Sequence, residues 1–143
     1  MKLLLDRFFS SPAYAVVGAS ENREKYGNIV YRYLRNKKFQ VYPVNPNHTI
    51  VEGDKCYATV FELPEEVKSV VLVVPPNVTE LVVEECKTKG ISDVWMQPGA
   101  ESEVAIAFAQ KNGITVIYDA CVMVALSPLV SFSGLGQWLK KVS

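Results

Sequence analysis

The chain of 143 residues has a single histidine, His48, and only three cysteines, Cys56, Cys86 and Cys121, at no spacing that gathers a metal. That inventory excludes a structural zinc site or a disulfide framework as the organising device, and a reducing, cytoplasmic setting is expected. Charge of one sign is also missing, because Lys+Arg 15 balance Asp+Glu 15. No global field draws in nucleic acid or an anionic membrane, and no basic stretch is interleaved with aromatic residues for base stacking. Any anion site must therefore be local. No apolar run approaches the about 18 residues of a membrane span. The early Leu3-Leu4-Leu5 is broken by Asp6 and Arg7, short of the about 7–15 apolar residues of a secretory signal. A nucleophile–histidine–acid triad has nothing to stand on, because His48 sits in an Asn-Pro turn with no partner acid and nucleophile in view, so no catalytic residue is assigned.

What the chain does have is apolar material, 49% of its residues. Its length suits one compact domain spanning residues 1–143, with a core over about 8–124 and an apolar extension over 125–143. The rest is organised around Ala13 to Gly27. An apolar, β-branched run stops at Gly18, eight polar or small residues follow, and Gly27 opens a helical pattern. A strand, a phosphate-sized loop and a helix N-terminus are predicted, with backbone N–H groups and the positive end of the helix favouring an anion. A full Gly-x-Gly-x-x-Gly is absent, since positions 20 and 23 are serine and arginine.

Helical or alternating spacing predicts the other elements in turn. Lys2 to Phe9 reads as a short helix packing Leu4, Leu5, Phe8 and Phe9, and Gly27 to Asn36 as a helix with Ile29, Val30, Tyr33 and Leu34 on its buried stripe. A second strand runs from Phe39 to Val44 and stops at Pro43-Val44-Asn45-Pro46. Gly53-Asp54 marks a turn, Lys55 to Ala58 a short strand, and Thr59 caps one helical turn. Val67 to Val74 is a strand buried on both faces. Asn77 and Glu80 resemble a capping box for a helix that packs Val78, Leu81, Val82 and Cys86 and ends at Gly90. Ile91 to Met96 is a strand, and the helix from about Glu101 to Gly113 has Val104, Ala105, Phe108 and Ala109 as its stripe. The last strand is Ile114 to Tyr118. This alternation predicts an α/β fold, a Rossmann-like doubly wound domain whose mostly parallel sheet of five or six strands carries helices on both faces. The apolar tail from Val122 to Ser143 is expected to dock on the domain or on a second copy in a homodimer.

In such a sheet, ligands sit outside the carboxyl ends of the strands. Those ends are Gly18-Ala19-Ser20, Asn45-Pro46, Val74-Pro75-Pro76, Gln97-Pro98-Gly99 and Asp119-Ala120-Cys121. An NAD site wants an acid at the end of strand two, where this chain has the uncharged Asn45. Asn45, with Ser20, Arg23 and Lys25 in the loop, points to a nucleotide rich in phosphate.

The same residues resemble a known family. Val17-Gly18-Ala19-Ser20, Val41-Tyr42-Pro43-Val44-Asn45-Pro46, Val74-Pro75-Pro76, Trp95-Met96-Gln97-Pro98-Gly99 and Cys121 have the order and spacing of the small stand-alone CoA-binding proteins. Those are similar to the N-terminal CoA-binding domain of the succinyl-CoA synthetase α subunit, and the resemblance covers roughly Phe8 to Val124. It implies CoA or an acyl-CoA as ligand. It also implies a phosphate loop at Gly18, Ala19 and Ser20 and a ligand contact at Asn45; the loop residues Arg23, Lys25, Tyr26 and Gly27, and Pro46 beside Asn45, join them as candidate site residues. Val74, Pro75 and Pro76, then Gln97, Pro98 and Gly99, and Cys121 complete the rim. The phosphorylated histidine of the synthetase lies in a second domain of that protein, and His48 does not match its position. Many relatives place arginine where this chain has Ala120. Binding of CoA without catalysis is the expectation. The alternatives are a ligand-presenting subunit of a multi-chain ADP-forming acyl-CoA synthetase, completed by a partner chain, and an NAD-binding sensor.

Overall fold

The computed structural model describes residues 2–127. In chain order the elements are α1 (Lys2–Phe8), β1 (Tyr14–Val17), α2 (Tyr26–Asn36), β2 (Val41–Val44), β3 (Ile50–Val51), β4 (Asp54–Lys55), a 3-10 turn (Val60–Glu62), β5 (Ser69–Leu72), α3 (Pro76–Lys89), β6 (Asp93–Met96), α4 (Glu103–Lys111), β7 (Thr115–Ile117) and α5 (Val122–Leu126). Five strands form one sheet in the order β2-β1-β5-β6-β7, and every neighbouring pair in it is parallel. The chain leaves β1 toward β2 on one side and returns to β5 on the other. The switch point therefore lies between the carboxyl ends of β1 and β5.

Alternation along the strands separates two cores. Ala15, Val17, Val70, Leu72, Val94 and Met96 face α3 and α4, where Val82, Val83, Cys86, Ala105 and Ala109 meet them. Val16, Val71, Trp95 and Ile117 face the opposite side, covered by Leu5 and Phe8 of α1, Val30, Tyr31 and Leu34 of α2, and Val122 of α5. Strands buried on both sides need continuous apolar runs, which is why β5 reads Ser-Val-Val-Leu without polar alternation. Arg7 ties α1 to the start of β6 through a 2.8 Å ion pair with Asp93.

Several local expectations shift. The helix after β5 starts at Pro76, with Pro75 in the cap position and no side-chain cap, so Asn77 lies inside the helix. Proline's fixed φ suits the first helical position and displaces the asparagine. Glu80 instead accepts from the Ser102 hydroxyl at 2.6 Å, and Ser102 caps α4 by accepting from the Ala105 N–H. Leu81 and Val104 are exposed, whereas Tyr31 replaces Ile29 on the buried face of α2. Tyr31 can be buried because its hydroxyl donates to Asp54 of the hairpin β3–β4, which also pairs with Arg35 at 2.9 Å. Thr59 does cap a helical turn, and the Glu62 carboxylate accepts from the N–H groups of Ala58 and Thr59. The docking expected of residues 128–143 lies outside the described residues.

Candidate functional site

Two close backbone approaches create the β1–α2 turn. Gly18 has φ +98, and a Cβ there would lie 2.1 Å from the carbonyl oxygen of Val73. A Cβ on Gly27 would lie 1.9 Å from the carbonyl oxygen of Gly18. The end of β1 thus presses on the end of β5, and the first turn of α2 presses on the end of β1. These are the contacts that a dinucleotide-type glycine pattern secures, met here by Gly18 and Gly27 without glycine at 20 or 23.

Side chains then lock the loop between them. Asn28 is fully buried, and its amide donates to the carbonyl of Ser20 at 2.7 Å and to Glu52 at 3.1 Å, while its oxygen accepts from Arg32 at 2.6 Å. Asn45 donates to the carbonyl of Ala19 at 2.8 Å and accepts from the Asn47 N–H at 2.9 Å. Ser20 is buried, and its oxygen accepts from the Asn22 N–H at 3.1 Å. Hydrogen bonds from Asn28 lower the Glu52 carboxyl from its ordinary value, with Arg23, Arg32 and Arg35 acting in the same direction. The loop is preorganised by contacts from both α2 and β2.

Two recesses adjoin at the switch point. One, of about 380 Å³, is walled by apolar groups including Val17, Val44, Val60, Val74 and Leu81, with Glu85 beside them. Burial raises the Glu85 carboxyl above its ordinary value. The other, also about 380 Å³, is lined by Ser20, Lys25, Tyr26, Gly27 and His48. Gly18, Asn45, Asn47 and Val74 border both, so the two form one depression with an apolar end and a polar end. A smaller hollow of about 250 Å³ continues from Val74 and Pro75 to Pro98, Gly99 and Ala100.

Behind the polar end lies a buried network. Gln97, with no exposed surface, donates to the Tyr26 hydroxyl at 2.7 Å and accepts from the Val122 N–H at 2.7 Å. The Tyr26 hydroxyl stands 3.1 Å from Cys121 Sγ, and the Trp95 indole donates to the carbonyl of Ala120 at 2.7 Å. Burial, reinforced by Cys121, raises the Tyr26 phenol above its ordinary value. The β7–α5 turn is thereby fixed against the loop.

The residues singled out from the sequence fall into three groups. Gly18, Ser20, Lys25, Tyr26, Gly27, Asn45, Val74 and Pro75 line the polar recess, Pro46 lines the apolar one, and Pro98 and Gly99 line the hollow beside them. Ala19, Gln97 and Cys121 are buried supports. Arg23 points elsewhere, 3.3 Å from Glu52, and Pro76 forms the first turn of α3 outside the lining of these three recesses. Asn28, Asn47, His48, Leu81 and Glu85 also border the recesses or brace the loop, and no motif in the sequence marks them as site residues. An asparagine in the first turn of a predicted helix was the one available signal for Asn28. Among the described residues there is no cluster of three metal-ligating side chains, and no helix is long and apolar enough to cross a membrane.

Residues 12–127 match the family described as CoA binding domain. Acetate–CoA ligase [ADP-forming] I of Archaeoglobus fulgidus is 38% identical over an alignment of 127 positions that covers 82% of this chain and 18% of the relative. The α subunit of acetate–CoA ligase [ADP-forming] II of Pyrococcus furiosus is 33% identical over 83% of this chain and 28% of its own length. The chain thus spans less than a third of either. A solved structure of a conserved hypothetical protein from Pyrococcus furiosus is 47% identical, with a TM-score of 0.77 over 79% of this chain and 97% of that one.

Proposed function

The chain belongs to the CoA binding domain family, and from that premise we propose that it holds CoA or an acyl-CoA in the joined recesses at the β1–β5 switch, without catalysis of its own. The observation that carries the reading is the two-ended depression itself. Its apolar end suits a flat base, with Leu81 and Val74 as walls and the Glu85 carboxyl within the same lining to meet an exocyclic amine. Its polar end suits phosphate, because Lys25 lines it and the free amides and positive end of α2 open onto it. The missing side chain at Gly18 leaves backbone rather than Cβ at the junction. From there the hollow along Val74, Pro75, Pro98 and Gly99 offers a path for a pantetheine arm. Gln97 and Cys121 act through Tyr26, which they hold in the recess wall. Asn45 acts as a latch for the loop.

Mass spectrometry of the protein purified from cells, under non-denaturing conditions, tests this. One CoA or acyl-CoA per chain is expected, and CoA added to a ligand-free sample should be retained in preference to NAD. A chain that ignores CoA and takes up NAD would overturn the reading in favour of a nucleotide sensor. A second role rests on the likeness to the α subunit of acetate–CoA ligase [ADP-forming] II: the same site presents CoA to a separate nucleotide-binding chain. Co-purification of such a chain, with ADP-forming ligase activity only in the mixture, is the result that role requires.

A further inference from the structure

His48 Nδ1 stands 3.5 Å from Glu21 Oε2, joining the turn after β2 to the loop after β1. His48 also lines the polar recess together with Ser20 and Lys25. Its side chain is only 25% exposed, against 59% for Glu21, so the imidazole is the sheltered member of the pair and the carboxylate faces water. We propose that His48 is a switchable anion ligand of this recess: its protonated ring pairs with a phosphate group of the bound nucleotide, which competes with Glu21 for it, and so makes affinity depend on pH. The inference rests on the recess being the nucleotide site.

The charge balance of the recess decides the direction. Lys25 and Tyr26 face it from the start of α2, Glu21 borders it through His48, and Cys56 lies behind Asn45 with its thiol raised by burial and, to a lesser extent, by Glu21. Cys56 and Tyr26 are neutral at physiological pH, so Lys25 and Glu21 offset one another and the imidazole sets the net charge. The recess therefore becomes cationic as pH falls, and phosphate is held more tightly. Glu21 is the resting partner that keeps His48 at the recess while competing with the ligand for it.

A partly exposed charge pair is limited to about a fivefold effect on affinity. By linkage, a fivefold preference for the protonated form raises the midpoint of the histidine titration by about 0.7 pH units when ligand is bound. Because His48 is the only histidine in the chain, its ring-proton resonance reports this midpoint directly. The test is that titration with and without saturating CoA, beside calorimetry of CoA at pH 8 and pH 6.5 for the wild type, His48→Gln and Glu21→Gln. The wild type should bind more tightly at the lower pH, by a factor that approaches the fivefold limit as protonation becomes complete. His48→Gln should be flat, and Glu21→Gln should bind more tightly at pH 8 while keeping its slope. Repeating the wild type with 3′-dephospho-CoA identifies the phosphate: a retained slope assigns the pyrophosphate, and a lost slope assigns the ribose phosphate. A His48 midpoint unmoved by CoA, or an identical pH slope in His48→Gln, overturns the proposal while leaving the binding site intact. No CoA binding at either pH overturns the site itself.

Discussion

Gly27→Ala separates close approach from every other role of glycine. Gly27 lies inside α2 and its φ is not in the left-handed region, so alanine meets no backbone penalty there. Its Cβ would nonetheless sit 1.9 Å from the carbonyl oxygen of Gly18 and 2.8 Å from the carbonyl carbon. Ordinary contact requires the first turn of α2 to retreat by more than about 1 Å. Overpacking of this kind costs about 1–3 kcal/mol, offset by up to about 1 kcal/mol from the better helix propensity of alanine. The larger consequence is for the ligand. The retreat moves the amides of α2 off the polar recess, and losing one charge-assisted hydrogen bond of about 1.5–3 kcal/mol lowers CoA affinity more than tenfold. Gly53→Ala is the control: its φ is +81, but nothing lies within 4 Å of the added carbon. That variant should lose about 1–2 kcal/mol through backbone strain alone and bind CoA normally. Urea unfolding and calorimetry of both variants give the answer. Wild-type stability and wild-type CoA affinity in Gly27→Ala would refute the reasoning.

Three further outcomes are expected. Asn45→Asp replaces a donor with a carboxylate facing the carbonyl of Ala19, now 2.8 Å from the asparagine amide; it should destabilise the fold by about 1–3 kcal/mol in urea and weaken CoA with no gain for NAD. Hydrogen bonding from Tyr31, then from Arg35, lowers the Asp54 carboxyl below its ordinary value, so its contribution is present above about pH 4 and is lost as pH falls through the lowered folded value. Asp54→Asn should therefore lower the melting midpoint at pH 7, by an amount corresponding to about 1 kcal/mol or less for so exposed a pair, and match the wild type near pH 2. Bound CoA should slow alkylation of Cys121, which touches the recess residue Tyr26 at 3.1 Å, and leave Cys86, whose thiol burial pushes up to about 12, unreactive throughout; an unchanged Cys121 rate would detach that network from the site.

The parallel sheet was legible because its strands are β-branched runs cut off by proline or glycine, as at Val44-Asn45-Pro46 and Leu72 to Pro75. The position of the loop at Gly18 was legible for the same reason. Partners distant in sequence were not. Arg23 reads as a phosphate ligand beside Ser20 until the β3–β4 hairpin brings Glu52 to 3.3 Å from it. Helical spacing could not show that Leu81 walls a recess rather than joining the core, since both demand an apolar residue on the same helix. Asn45 carries a polar amide suited to a ribose or to a backbone carbonyl, and only the approach of the β1 loop spends it on Ala19. The stripe of α2 was misplaced because Tyr31 is buried by virtue of a hydroxyl partner on Asp54, which hydrophobicity alone does not register.

The most direct test of CoA binding at the β1–β5 switch is a backbone amide NMR titration of the uniformly labelled protein with CoA. The largest shifts should fall on the amides of residues 18–28, 44, 45, 47, 48, 58–60, 73, 74, 78 and 81, which border the two recesses or their loop. The polar notch formed by Arg35, Gln40, Tyr42, Asp54 and Lys55 at the far edge of β2 should be silent. Shifts confined to that notch, or none at millimolar CoA, would contradict the account.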